Sequence, residues 1–390
     1  MSLFDEIADV PWAELHHAYG PATDVPDLLR ALMSPEAASP EVIDAAKKNK
    51  RSVFDQVTWE LCGNVFHQGT VWQVTATTVP FIAAILRDGP DDPKHKAFLI
   101  DYLHHLALGY PQDLFPDLLN PNEAFAEVEG LEDPGGEPDY EADDNRLLIW
   151  MRDSYLAVER NIEAVFPYLD ADNDQVADAA IALCGSFPRC AEQTVPHLRR
   201  LVASEDRRGA TAAVSLAVLE GPDARQLAET IATSTNPLTS LLGACAAVLA
   251  DAENASTEIV TVLTRPLGEL SETESVHAST LGTLVGRCLE RLGPDYRDRA
   301  VAGICSQLVN AGPEESLSLT QSLLTLVFEN PPLPPVSKLS ATQLRALEAI
   351  RDHGGYEFPP GMGFGNYGLL LADWGLPSSA EKFAAWLRTD

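Results

Sequence analysis

The sequence predicts an all-α protein, an α-solenoid of stacked antiparallel helix hairpins with an acidic loop insertion and a C-terminal cap. Three observations carry this expectation. Apolar residues recur at helical spacing from about residue 146 onward, in stripes roughly 12 to 20 residues long. Short Gly, Pro or polar breaks separate the stripes, and no alternating strand pattern competes with them. Helix-start signals at Asp172, Asp206 and Asn236 lie 34 and 30 residues apart, the length of a helical hairpin with its two turns. A hairpin of that size cannot bury its own apolar face, so neighbours must stack.

Taken in order, residues 1–121 are expected to form N-terminal helical repeats and 122–145 an acidic insertion. Regular repeats follow over 146–329, and 330–390 form a Pro-rich connector and cap. The regular stack opens with Leu147, Leu148, Trp150, Met151, Tyr155, Leu156 and Val158, and runs on through Ile162, Val165, Phe166 and Leu169. Asp172 is the expected N-cap of the next helix, which Gly185 and Pro188 stop. A short helix around Pro196 to Val202 is followed by one starting near Asp206 and ending at Gly221-Pro222. Asn236-Pro237 starts another. Further helices are expected over 256–265, 272–292, 295–311, 314–329 and 342–353. The insertion holds ten acidic residues, no basic one and a Pro-Gly-Gly turn, which predicts a long exposed loop. The Gly- and aromatic-rich segment after Gly354 is expected to close the open end of the stack.

Residues 165–188, VFPYLDADNDQVADAAIALCGSFP, resemble a HEAT repeat: an apolar helix end, an Asp-rich turn, then a helix with a small-residue stripe. Residues 59–86, WELCGNVFHQGTVWQVTATTVPFIAAIL, resemble the first repeats of a group of bacterial HEAT-repeat proteins, in which His-Gln-Gly-Thr-Val precedes a Val-Pro-Phe helix. Trp12, Gly20-Pro21, Asp24-Val25-Pro26 and the GLPSS of residues 375–379 fit the same pattern. One departure is that Val176 is followed by Ala177 and Asp178, where HEAT repeats commonly carry an Arg. The resemblance implies architecture, since such repeats serve as scaffolds, adaptors, inhibitors and occasionally enzymes. Of those enzymes, the hydroxylases use His-Glu dipeptides as iron ligands, and this sequence has none.

Charge narrows the partners. With 27 Lys and Arg against 58 Asp and Glu, the net charge is −31. Nucleic acid, which is bound by neutralising phosphates with basic side chains, is disfavoured as a ligand, and with it the glycosylases of this architecture. A basic protein or peptide is the favoured partner, and a scaffold of the inhibitor or immunity type is the expected function. The same charge also serves solubility. Cys62, Cys184, Cys190, Cys245, Cys288 and Cys305 show no zinc or redox spacing, and most read as small buried apolar residues. No signal peptide or membrane span is expected, which makes a cytoplasmic location the default. No cofactor motif, phosphate loop or nucleophile elbow is present.

Candidate contacts lie near the front of the chain. In the segment His67 to Trp72, His67 offers an acid or base and Trp72 a stacking surface. The structural alternative has His67 and Gln68 bonding free backbone groups, with Gly69 supplying a turn and Thr70 capping the next helix. Tyr102, Tyr110, Phe115 and Trp150 flank the insertion and offer an aromatic centre beside an acidic rim. The binding set expected from sequence is His67, Gln68, Trp72, Tyr102, His104, His105, Trp150, Asp139, Glu141, Asp143 and Asp144. The rival expectation is an enzyme with an acid–base or metal site. There Glu14-x-x-His17 and Asp101-x-x-His104 would each put a carboxylate and an imidazole one helical turn apart.

Overall fold

The computed structural model describes residues 3–111, 115–136, 144–204, 206–265, 275–276, 279–328, 330–358 and 361–388. Among these the chain is helical, and strands are confined to three hairpins of two residues per strand. Two compact units divide it, Met1–His197 and Leu198–Asp390.

In the first unit, α1 (Leu3–Asp9), α2 (Val25–Met33), α3 (Pro40–Asn49) and α4 (Val53–Asn64) precede α5 (Gln73–Asp88) and α6 (Pro93–Leu108). A single turn, α7 (Pro121–Ala124), leads to α8 (Asp144–Arg160) and α9 (Asp174–Gly185), and α10 (Ala191–Val202) spans the division. Ser39, Ser52 and Asp92 cap α3, α4 and α6 by accepting from backbone N–H groups of the first turn. The core lies where α5 meets α6 and α8, around Val74, Ile82, Ile85, Leu99 and Val158. Buried polar groups tie these helices together. Tyr102 Oη donates to the Leu61 carbonyl at 2.8 Å, Lys96 Nζ to Leu86 at 2.5 Å, and Ser154 Oγ to Leu106 at 2.5 Å.

Hairpin β1 (His16–His17) with β2 (Gly20–Pro21) follows α1, and β3 (Phe66–His67) with β4 (Thr70–Val71) joins α4 to α5. These strands escape a pattern search because two residues are too short to alternate. Gln68 and Gly69 both have positive φ, +50° and +88°, as a two-residue turn of the primed type requires. Thr70 therefore sits on β4, and α5 starts three residues later at Gln73, where Thr75 Oγ1 accepts from Trp72 N at 2.8 Å.

The second unit contains α11 (Arg207–Glu220), α12 (Arg225–Ala232), α13 (Pro237–Ala250) and α14 (Thr257–Leu263). After hairpin β5–β6 (Ser275–Val276, Ser279–Thr280) come α15 (Leu281–Glu290), α16 (Arg297–Leu308), α17 (Pro313–Phe328) and α18 (Ala341–His353). The terminal segment forms α19 (Gly365–Asp373) and α20 (Ala380–Trp386). Asp206 and Asn236 cap their helices as expected, while the cap before α9 is Asn173 rather than Asp172. Helix α13 is buried almost throughout, and small side chains let α12 approach it: a Cβ on Gly243 would lie 2.4 Å from Ala232 N.

Two expectations are corrected. The helix expected over 272–292 begins at Leu281, because Ser275–Val276 pairs with Ser279–Thr280 and Thr280 caps α15. The insertion is not simply an exposed loop over its described part. It starts in α7 and a 3-10 turn at Ala126–Val128, since Phe125 and Val128 are apolar enough to be buried.

Candidate functional site

Two places on the first unit combine exposure with convergent chemistry. The first is the C-terminal end of α4, whose last carbonyls are taken up from elsewhere in the chain. Asn64 O accepts from Ala18 N at 3.1 Å, and Gly63 O accepts from His67 Nδ1 at 3.0 Å. A carbonyl only accepts, so in the neutral ring the His67 proton is on Nδ1 and Nε2 is left as an acceptor. The β1–β2 hairpin is pinned by His17, which donates from Nε2 to Asp24 Oδ1 at 2.9 Å and accepts Tyr19 N on Nδ1 at 3.0 Å. Asn64 donates to the other Asp24 oxygen at 2.6 Å. Burial opposes the charge of Asp24, but the bonds from His17 and Asn64 hold its carboxyl below the usual range.

This lock places the Tyr19 ring 5.4 Å from the His67 ring, edge to face, with Tyr19 70% exposed. One turn before Gly63, Trp59 is 63% exposed and carries the Arg51 guanidinium 4.1 Å over its ring. Nothing lies within 4 Å of a Cβ built on Gly63, so packing does not demand glycine there, although glycine costs a helix up to about 1 kcal/mol relative to alanine. Alternation along β3 sends Phe66 to the other side, against His105 and Tyr110. There Gly69 is required by both its φ and the Tyr110 ring, 2.7 Å from its would-be Cβ. His105 donates from Nδ1 to Asp101 O at 2.8 Å, and burial lowers its pKa. The same burial pushes the Asp101 carboxyl up to about 7.

The second place is a cleft of about 510 Å³ between the start of the acidic insertion and α8. Phe125 and Leu156 give it apolar lining, and Leu131, Glu129 and Glu132 stand exposed along it. Its two cations are already engaged. Arg152 pairs with Asp153 at 2.7 Å and donates to Val128 O, and Arg189 forms a two-point pair with Glu159. Among the described residues neither Glu129 nor Glu132 has such a partner, so the uncompensated charge of the cleft is negative. The insertion is fixed to α8 by Asp133. Its Oδ1 meets Arg146 Nε at 2.8 Å and its Oδ2 accepts Trp150 Nε1 at 2.7 Å, while Arg146 Nη2 donates to the carbonyls of Gly135 and Gly136. Burial works against the Asp133 charge, but the bonds from Trp150 and Gly135 N and the Arg146 guanidinium keep its pKa low.

The residues expected from sequence are thus divided. His67 and Gln68 lie on the surface with Tyr19, and His105 lies beneath the same hairpin. Tyr102 and Trp150 are buried instead of exposed, because their polar ends find partners inward at Leu61 and Asp133. Trp72 is half-buried with its ring 6.3 Å from that of Trp150, and Phe115 is buried. His104 is buried and bonded through Nε2 to Ser186 Oγ at 2.8 Å. Asp139, Glu141 and Asp143 lie outside the described residues, as does the side chain of Asp144. Of the metal alternative, the Glu14 and His17 pair loses its geometry, while Asp101 and His104 do lie one turn apart on α6. Glu14 ends a 3-10 turn and His17 is on β1, so they are not one α-helical turn apart, and both ring nitrogens of His17 are engaged. Among the described residues no three His, Cys, Asp or Glu side chains gather as ligands. Sequence reading missed the Asp133 fastening, whose signal is the first cation after ten acidic residues, Arg146, with Trp150 one turn later on the same helix face.

No family model matches this chain, and no curated protein matches it. None of its described helices is long and apolar enough to cross a membrane.

Proposed function

We propose that this chain is a HEAT-like α-solenoid that binds a basic protein or peptide segment without transforming it, in the manner of an inhibitor or immunity protein. The observation that carries the reading is the cleft at the insertion: apolar lining, two arginines already paired, and Glu129 and Glu132 left to face a partner. That composition suits a lysine or arginine side chain, whose aliphatic stem covers apolar surface while its head meets carboxylate. The net charge of −31 adds a long-range field that speeds encounter with such a partner and disfavours acidic competitors. Helix caps at Asn173, Asp206 and Asn236, 33 and 30 residues apart, support the solenoid, and the sequence likeness to HEAT repeats agrees with it.

Fluorescence anisotropy with labelled hexalysine and hexa-arginine peptides tests this. Binding is expected at low salt, with affinity falling at least about tenfold as salt screens the cleft. The Glu129→Lys/Glu132→Lys protein is expected to lose at least about tenfold for both peptides through like-charge repulsion. Absence of binding at low salt, or affinity indifferent to the charge reversal, would overturn the reading.

A further inference from the structure

We propose that the end of α4 is a second recognition site, an arginine cradle formed by Tyr19, Gly63 and His67, which takes a guanidinium from the same basic partner. The proposal rests on the reading of the chain as a binder of basic segments, and adds to it a preference of arginine over lysine.

The hydrogen-bonding inventory of the site points to a donor-rich ligand. Two nearby backbone donors are consumed, Ala18 N by Asn64 O and Tyr19 N by His17 Nδ1, and the Tyr19 hydroxyl lies 3.5 Å from His67 Nδ1. The acceptor left for a ligand is His67 Nε2, held in that role in the neutral ring by the Nδ1 bond to Gly63 O. Beside it stands the Tyr19 ring, 70% exposed. A guanidinium has five donors, no acceptor and a plane that stacks on a ring, whereas an ammonium has no plane.

Space for it is also present. A side chain at Gly63 would lie one helical turn after Trp59, and a Cβ built there meets nothing within 4 Å. The chain uses the same chemistry on itself one turn earlier, where the Arg51 guanidinium lies 4.1 Å over Trp59. Among the described contacts no cation lies over Tyr19.

The test uses the full chain with the cleft charge-reversed, Glu129→Lys/Glu132→Lys, so that the two sites are read separately. Hexa-arginine is expected to shift the His67 imidazole resonances and to bind about threefold tighter than hexalysine, the scale of an exposed cation–π contact. Tyr19→Ala and Gly63→Leu, at positions that are exposed or have open space, are expected to abolish the preference, and Tyr19→Phe to keep it. Unmoved His67 resonances, or an arginine-to-lysine ratio unaltered by Tyr19→Ala and Gly63→Leu, would overturn the cradle. Weaker binding on charge reversal alone bears only on the cleft.

Discussion

Asp101 and His95, on the same helix, pull the pH dependence of stability in opposite directions. Burial raises the Asp101 carboxyl from 3.8 to about 7, so between those values the folded chain binds the proton that the unfolded chain releases. Its contribution to stability therefore falls as pH rises through that window. Burial and the neighbouring Lys96 lower His95 from 6.5 to about 4, so the folded chain favours the neutral ring and stability is lost as pH falls through its window. Asp101→Asn removes the first effect. The expected outcome is a gain on the order of 2 kcal/mol at pH 8 and almost none near pH 3.5, read from urea unfolding midpoints. Equal gains at both values would assign the effect to packing instead. Neither environment was legible in the sequence. Asp101-x-x-His104 has the spacing of a ligand pair, and spacing is silent on which helix covers the carboxyl and on Ser186 engaging the imidazole.

At the level of elements, the helix starts of the second unit were legible because a cap is a local device. Asp206 and Asn236 reach backbone N–H groups two or three residues ahead, so a short window contains the cause and its effect. The fastening of the insertion spans more chain, joining Asp133 to Arg146 and Trp150 across acidic residues that read as solvated loop. Asp133→Ala would take a carboxylate partner from the buried Arg146 guanidinium and leave the Trp150 indole N–H without its acceptor. A loss of about 3 kcal/mol is expected in denaturant unfolding. Because the cleft borders this segment, peptide affinity should drop with it. Asp133→Asn, which keeps an oxygen for Trp150, is expected to lose less on both counts. Unchanged affinity in Asp133→Ala would mean that the cleft forms without the fastening.

For the molecule as a whole, the helical class was legible from periodicity, while the hairpins were not, since β1–β2 depends on groups far along the chain. The net charge of −31 gives salt two opposed effects. Screening relieves repulsion among carboxylates within the folded chain, and it weakens attraction for a basic partner. Raising NaCl from roughly 20 to 300 mM, which shortens the screening length severalfold, is therefore expected to raise the melting temperature while weakening peptide affinity. Calorimetry and anisotropy on one preparation check the pair of trends. A melting temperature that falls with salt would show that specific ion pairs outweigh the general repulsion.

The anchoring of the first hairpin also sets an order of events during synthesis. His16 N bonds to Gln73, 57 residues later, Ala18 N to Asn64, and Asp24 to Asn64, 40 residues later. This hairpin leaves the ribosome ahead of α4 and α5, so these bonds wait until α4 and the start of α5 have followed it out. Until then Tyr19 and the two histidines before it have no fixed place, and this hairpin is among the later parts of its unit to settle.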